Sequence, residues 1–115
     1  MLTIEHVPYD SPQLDAVLGS LANQKRRGII HDLSLQPATV GQLAKRHDLS
    51  LPAIHKHIRT LEEAKLIIRK KTGRTNFVAL NHGTLGLAQH WILQYRTEWG
   101  SNDATLENYI SRMRE

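Results

Sequence analysis

Leu49-Ser50-Leu51-Pro52-Ala53-Ile54-His55-Lys56-His57-Ile58-Arg59-Thr60-Leu61-Glu62-Glu63-Ala64-Lys65-Leu66-Ile67 is the stretch that decides the fold. Ser50 carries the hydroxyl an N-cap needs. Pro52 falls in the first turn, where its missing N–H leaves nothing unsatisfied, so a helix is predicted over residues 50–64. On a wheel stepping about 100° per residue, Ile58 and Leu61 fall within about 40° of Ile54, and these three define a buried side. Pro52, Lys56, Arg59 and Glu63 come up opposite, with His55 at the flank. Past the helix, residues 66–71 and 75–80 are β-favouring runs, and Thr72-Gly73-Arg74 between them reads as a hairpin turn.

Upstream, Thr39-Val40-Gly41-Gln42 has the spacing of a capping box and opens a short helix to about His47, with Val40, Leu43 and Ala44 as its core contacts. Asp48-Leu49-Ser50 is then a tight turn between two helices. Before that, Asn23 caps a helix that ends at Gln36-Pro37. Its apolar contacts are Ile29, Ile30 and Leu33, and Lys25, Arg26 and Arg27 lie near its start. Asp10 or Ser11 caps a first helix whose stripe is Leu14, Val17, Leu18 and Leu21. Two short helices joined by a three- or four-residue turn, the second running into a basic hairpin, define a winged helix-turn-helix. The expected class is mainly α with a β-hairpin wing, in the order α-α-α-α-β-β-α, as one domain over residues 1–115.

From Thr84 onward, Leu85, Ala88, Ile92, Tyr95, Trp99, Leu106 and Met113 keep a seven-residue repeat, flanked by Trp91 and Ile110. Gly100-Ser101-Asn102-Asp103 is a poor helical sequence that could break the pattern into two helices. The stripe nevertheless keeps its phase across it, and one long final helix is the expectation. A 115-residue chain has little core left to cover this stripe and the first helix as well. A second copy would cover both. The expected dimer contacts are Leu14, Val17, Leu18, Leu21, Trp91, Ile92, Tyr95, Trp99, Leu106 and Ile110.

Charge placement says what the hairpin and its helix are for. The net charge is +4, yet residues 50–75 hold seven cations against Glu62 and Glu63, a local +5, so the rest of the chain is slightly acidic. Such a concentrated field suits a polyphosphate partner. A helix with small residues at its start and long cations beyond fits a major groove about 12 Å wide. Ser50, Pro52 and Ala53 permit close approach, and His55, Lys56 and Arg59 reach phosphates or base edges. Thr39 and Gln42 start the preceding helix beside them. Arg69, Lys70, Lys71 and Arg74, with Thr75, would place the wing on phosphates or a neighbouring minor groove. The competing reading is a protein-binding module, which gives these cations no obvious task.

Other classes find little support. The absence of cysteine removes disulfides and every thiolate device. No glycine-rich phosphate loop, activated serine or paired carboxylate is visible, so an enzyme is not expected. Of the seven histidines, His55 and His57 point about 200° apart on one helix and cannot share an ion, so no metal is expected. No cofactor is implied. The apolar runs are too short to span a bilayer and the amino terminus does not read as a secretion signal, so a cytoplasmic location without membrane contact is expected.

Three blocks together, residues 21–30, 39–44 and 49–67, resemble the ArsR family of bacterial winged-helix repressors, and the likeness runs from about Leu14 to Ile110. The resemblance implies a homodimer joined through its first and last helices, a DNA-reading helix at residues 50–64, a partly palindromic operator on double-stranded DNA, and repression usually released by a small-molecule effector, here unidentified. Two departures matter. Leu51 and His55 stand where family members often have Gln and Ser, so base preference does not carry over. The family's metal sensors use cysteine pairs near the third helix or paired His and acidic residues on the last. Here residues 40–44 lack cysteine, and His82, His90, Glu98 and Glu107 do not reproduce the paired spacing.

Overall fold

A computed structural model describes residues 6–95 and 102–115. The elements run α1 (Pro12–Leu21), α2 (Gln24–Leu35), β1 (Ala38–Thr39), α3 (Val40–Arg46), α4 (Leu51–Glu63), β2 (Ile67–Thr72), β3 (Thr75–Leu80), α5 (His82–Leu93) and α6 (Asn102–Met113). This is a mainly helical winged helix-turn-helix.

The first four helices begin where side-chain oxygens can take up their free N–H groups. Ser11 accepts from Leu14, Asn23 from Arg26, and Ser50 from Ala53. Thr39 and Gln42 close the full capping box, each side chain accepting from the other's backbone N–H. The ends of α3 and α4 are set by one repeated device. After α3, Leu49 N–H donates to Ala44 C=O and Asp48 N–H to Lys45 C=O. After α4, Leu66 donates to Leu61 and Lys65 to Glu62. These are Schellman closures, and they turn the chain through left-handed residues at Asp48 (φ 52°) and Lys65 (φ 62°). Buried Leu61 and Leu66 bracket the second closure, so α4 stops at a fixed place and delivers the chain straight into the wing.

The core sits where α2, α3 and α4 meet the base of the sheet. Ile29, Leu43, Ile54, Ile58, Leu61 and Leu66 are fully buried, joined by Val17, Val78 and Leu80. The predicted buried side of α4 is therefore the observed one. Gly28 lets α2 and α3 approach, because a Cβ there would lie 2.8 Å from the His47 ring, whose Nε2 is 2.8 Å from Asp32 of α2.

Four expectations are corrected. The sheet has three strands in the order β1-β3-β2, because Ala38 and Thr39 pair with Val78 and Phe77; two residues are too few to show a strand pattern. The hairpin turn is Gly73-Arg74 alone, since Thr72 pairs with Thr75, and Gly73 supplies the positive φ of 63° that the first position of such a turn takes. The final stripe is not one helix. Its first part closes after Leu93, where Gln94 caps the end and its amide exchanges hydrogen bonds with the backbone of Val7 at 2.9 and 2.8 Å. Leu14 and Val17, expected as dimer contacts, are already buried in the protomer's own core at 1% and 0% exposure. Trp99 lies outside the described residues.

Candidate nucleic-acid interface

The cations divide by what they already touch. Lys25, Arg26 and Arg27 open α2, the end of a helix that disfavours positive charge. Each is engaged by backbone oxygen from a neighbouring helix end. Arg26 donates to Ser20 C=O at 2.7 Å and Gly19 C=O at 3.3 Å, Arg27 to Leu21 C=O at 3.1 Å, and Lys25 to His47 C=O at 2.7 Å. These oxygens belong to the ends of α1 and α3, where the last carbonyls of a helix look beyond it for donors; Gly19 C=O also accepts the Ala22 N–H. Arg69 is likewise held, in a two-pronged pair with Glu62 of α4 at 2.9 and 3.2 Å, which fixes the wing's angle to that helix.

Lys56, Arg59, Lys70, Lys71 and Arg74 are different. All five are exposed, and none has an acidic partner among the described residues. Lys56 and Arg59 occupy the outer face of α4, with exposed Pro52 before them. Ala53 is half-buried. Strand alternation splits the wing's basic run: Lys71 shares a face with Arg69, and Lys70 takes the other face with Ile68.

Thr39, His55, Arg74 and Thr75 line one cleft together with Gly41, Leu51 and Asn76, so the starts of α3 and α4 meet the wing tip there. The Thr39 and Ser50 hydroxyls are occupied as caps, which makes them framework for the site first. Gln42 is exposed, and its oxygen is held by the Thr39 N–H. Sequence reading missed Arg69 as a brace and Arg26 as a junction. The only signals were acidic Glu62 one residue before the end of α4 and a cation cluster at the unfavourable end of α2.

Among the described residues no group of His, Asp and Glu has the arrangement of a metal site, and no helix is long and apolar enough to cross a membrane. His57 has another use. It is half-buried on the inner flank of α4, and its Nδ1 lies 3.3 Å from Arg26 Nη1. Because the guanidinium donates there, the ring proton is on Nε2. Burial, then the charges of Arg26, Lys56 and Lys25, push the imidazole below its ordinary value of 6.5. A depressed pKa in the fold means that the unfolded chain takes up the proton first. His57 thus contributes stability that is complete above pH 6.5 and lost as pH falls through the folded-state value. Urea unfolding between pH 7.5 and 5 should show this loss, and His57→Gln should flatten that part of the profile. An unchanged profile in the variant would remove the Arg26–His57 contact as its source.

A braced hairpin beside a helix with an unengaged basic face defines the class as a winged helix-turn-helix protein. The comparisons with known proteins narrow it. Residues 21–69 match a family model described as a helix-turn-helix domain. A solved ArsR family transcriptional regulator, RHA00566, is 35% identical, with 71% of this chain and 84% of that one covered and a TM-score of 0.68. The chain belongs to the ArsR family of transcriptional regulators. It is also similar to the HTH-type transcriptional regulator Rv2034 of Mycobacterium tuberculosis, 35% identical over 56% of this chain and 59% of that one, so the likeness spans under two thirds of that protein. The transcriptional repressor SdpR of Bacillus subtilis is 27% identical over 78% of this chain and 99% of its own.

Proposed function

We propose that the chain is a homodimeric repressor that sets α4 of each protomer into successive major grooves of a partly palindromic operator, with the wings on the flanking backbone. The observation that carries this reading is the grouping of the cations: Lys25, Arg26, Arg27 and Arg69 are held by the protein's own oxygens, whereas Lys56, Arg59, Lys70, Lys71 and Arg74 are exposed, without an acidic partner among the described residues, on one helix face and the adjoining wing. Repression fits the relative named as a repressor, and the dimer fits the apolar residues exposed on α1 and α5. Half-sites then lie about 34 Å apart on one face of the duplex.

Selection from a random duplex pool, followed by a salt titration on the winner, tests this. A symmetric consensus with steep salt dependence is expected. Arg74→Ala should weaken all duplexes alike and flatten the logarithmic salt slope by about one unit. Loss confined to one sequence would make Arg74 a base reader. Failure to bind any duplex would leave a winged helix used for protein contact.

A further inference from the structure

Leu51 is the first residue of α4 and is 59% exposed, whereas the other large apolar residues of that helix, Ile54, Ile58 and Leu61, are at 0%. Its surroundings are not an apolar patch. It lines the cleft between α4 and the wing with His55 one turn on, and Thr39, Arg74, Thr75 and Asn76 across from it. It does not line the groove that Ile92 and Leu93 of α5 share with Leu21 of α1, where a second copy is proposed to dock. The backbone beneath it is fixed, because Ser50 caps the helix immediately before it and Pro52 restricts the helix immediately after.

A rigidly placed leucine rimmed by a cation and polar side chains needs a partner that offers one small apolar group within an anionic, hydrogen-bonding surface. The major groove presents one such group, the C5-methyl of thymine. We propose that Leu51 is a specificity-determining residue that packs on a thymine methyl in each half-site, an assignment that rests on α4 being the groove-reading helix. His55, on the same flank, then donates to an acceptor edge of an adjacent base.

The experiment replaces single thymines of the selected duplex with deoxyuridine, which removes the methyl and leaves base pairing intact. The wild-type chain should lose about fourfold in affinity at one thymine of each half-site, the effect of exposing one buried methyl group. Leu51→Ala should lose at least as much on the thymine duplex and should be indifferent to uracil. Its exposure in the free protein predicts unchanged folding, which circular dichroism checks. Wild-type protein that binds the duplex but ignores uracil at every position overturns the assignment while leaving α4 as the reading helix. So does Leu51→Ala that stays as sensitive as wild type. Absence of binding to any duplex overturns both.

Discussion

Alanine at both Lys56 and Arg59 is expected to lower affinity for the selected operator by about 2 to 4 kcal/mol, roughly 30- to 800-fold. The two side chains stand one turn apart on the outer face of α4, exposed and with no acidic partner among the described residues, so neither gives up a contact inside the protein when it binds. Each bidentate contact to guanine O6 and N7 discriminates by about 1 to 3 kcal/mol, while a phosphate contact mainly adds to the salt slope. The single variants separate these roles: a base reader loses its preference at one position, a phosphate contact weakens every duplex equally. Thermal stability should stay within about 0.5 kcal/mol of wild type, because exposed side chains free of partners contribute little to folding. Full affinity in the double variant would take α4 out of the interface. The companion change Arg69→Ala should behave differently, loosening the wing by freeing Glu62.

The sequence was most informative where structure is decided locally. Caps at Ser11, Asn23, Thr39 and Ser50, each satisfied within three residues, placed the starts of α1 to α4. The wheel through Ile54, Ile58 and Leu61 gave the buried side of α4 because one face of one helix meets one core. It was least informative where the partner is distant in the chain. Pairing of Ala38 with Val78 and the bonds between Val7 and Gln94 leave no periodic trace, and the second of these is what holds the end of α5 in place. Charge counting also blurs two populations. Arg69 and Lys70 are neighbours in the sequence and both look available, yet strand alternation turns one toward Glu62 and leaves the other exposed. Which cations remain available to a partner is identifiable only once those held by the protein itself are known.

Ile92→Glu is expected to convert the proposed dimer to monomer and, with it, to lower affinity for a duplex carrying both half-sites by about a hundredfold or more, while leaving the weak affinity for one half-site unchanged. Ile92 is 59% exposed on α5, beside exposed Leu93, and lines a groove with Leu21, Leu85 and Ala88, with exposed Leu18 on the neighbouring α1. Single exposed apolar side chains are ordinary, but a groove with apolar side chains at its edge is the usual mark of a surface that another chain covers. Two-fold symmetry doubles the effect of the substitution, because each new carboxylate enters the same interface and meets its own copy or an apolar face that cannot hydrogen-bond it. The isolated protomer should tolerate the change, since the side chain already faces water. Sedimentation at several concentrations, paired with titrations on one- and two-half-site duplexes, reads both consequences. Ile110→Glu on α6 is the necessary comparison, because Leu106, Tyr109, Ile110 and Met113 expose a second apolar set. A dimer that survives Ile92→Glu but not Ile110→Glu moves the interface to α6. If both variants remain dimeric, the two copies meet through some other surface, and the spacing of the reading helices must be derived from that surface instead.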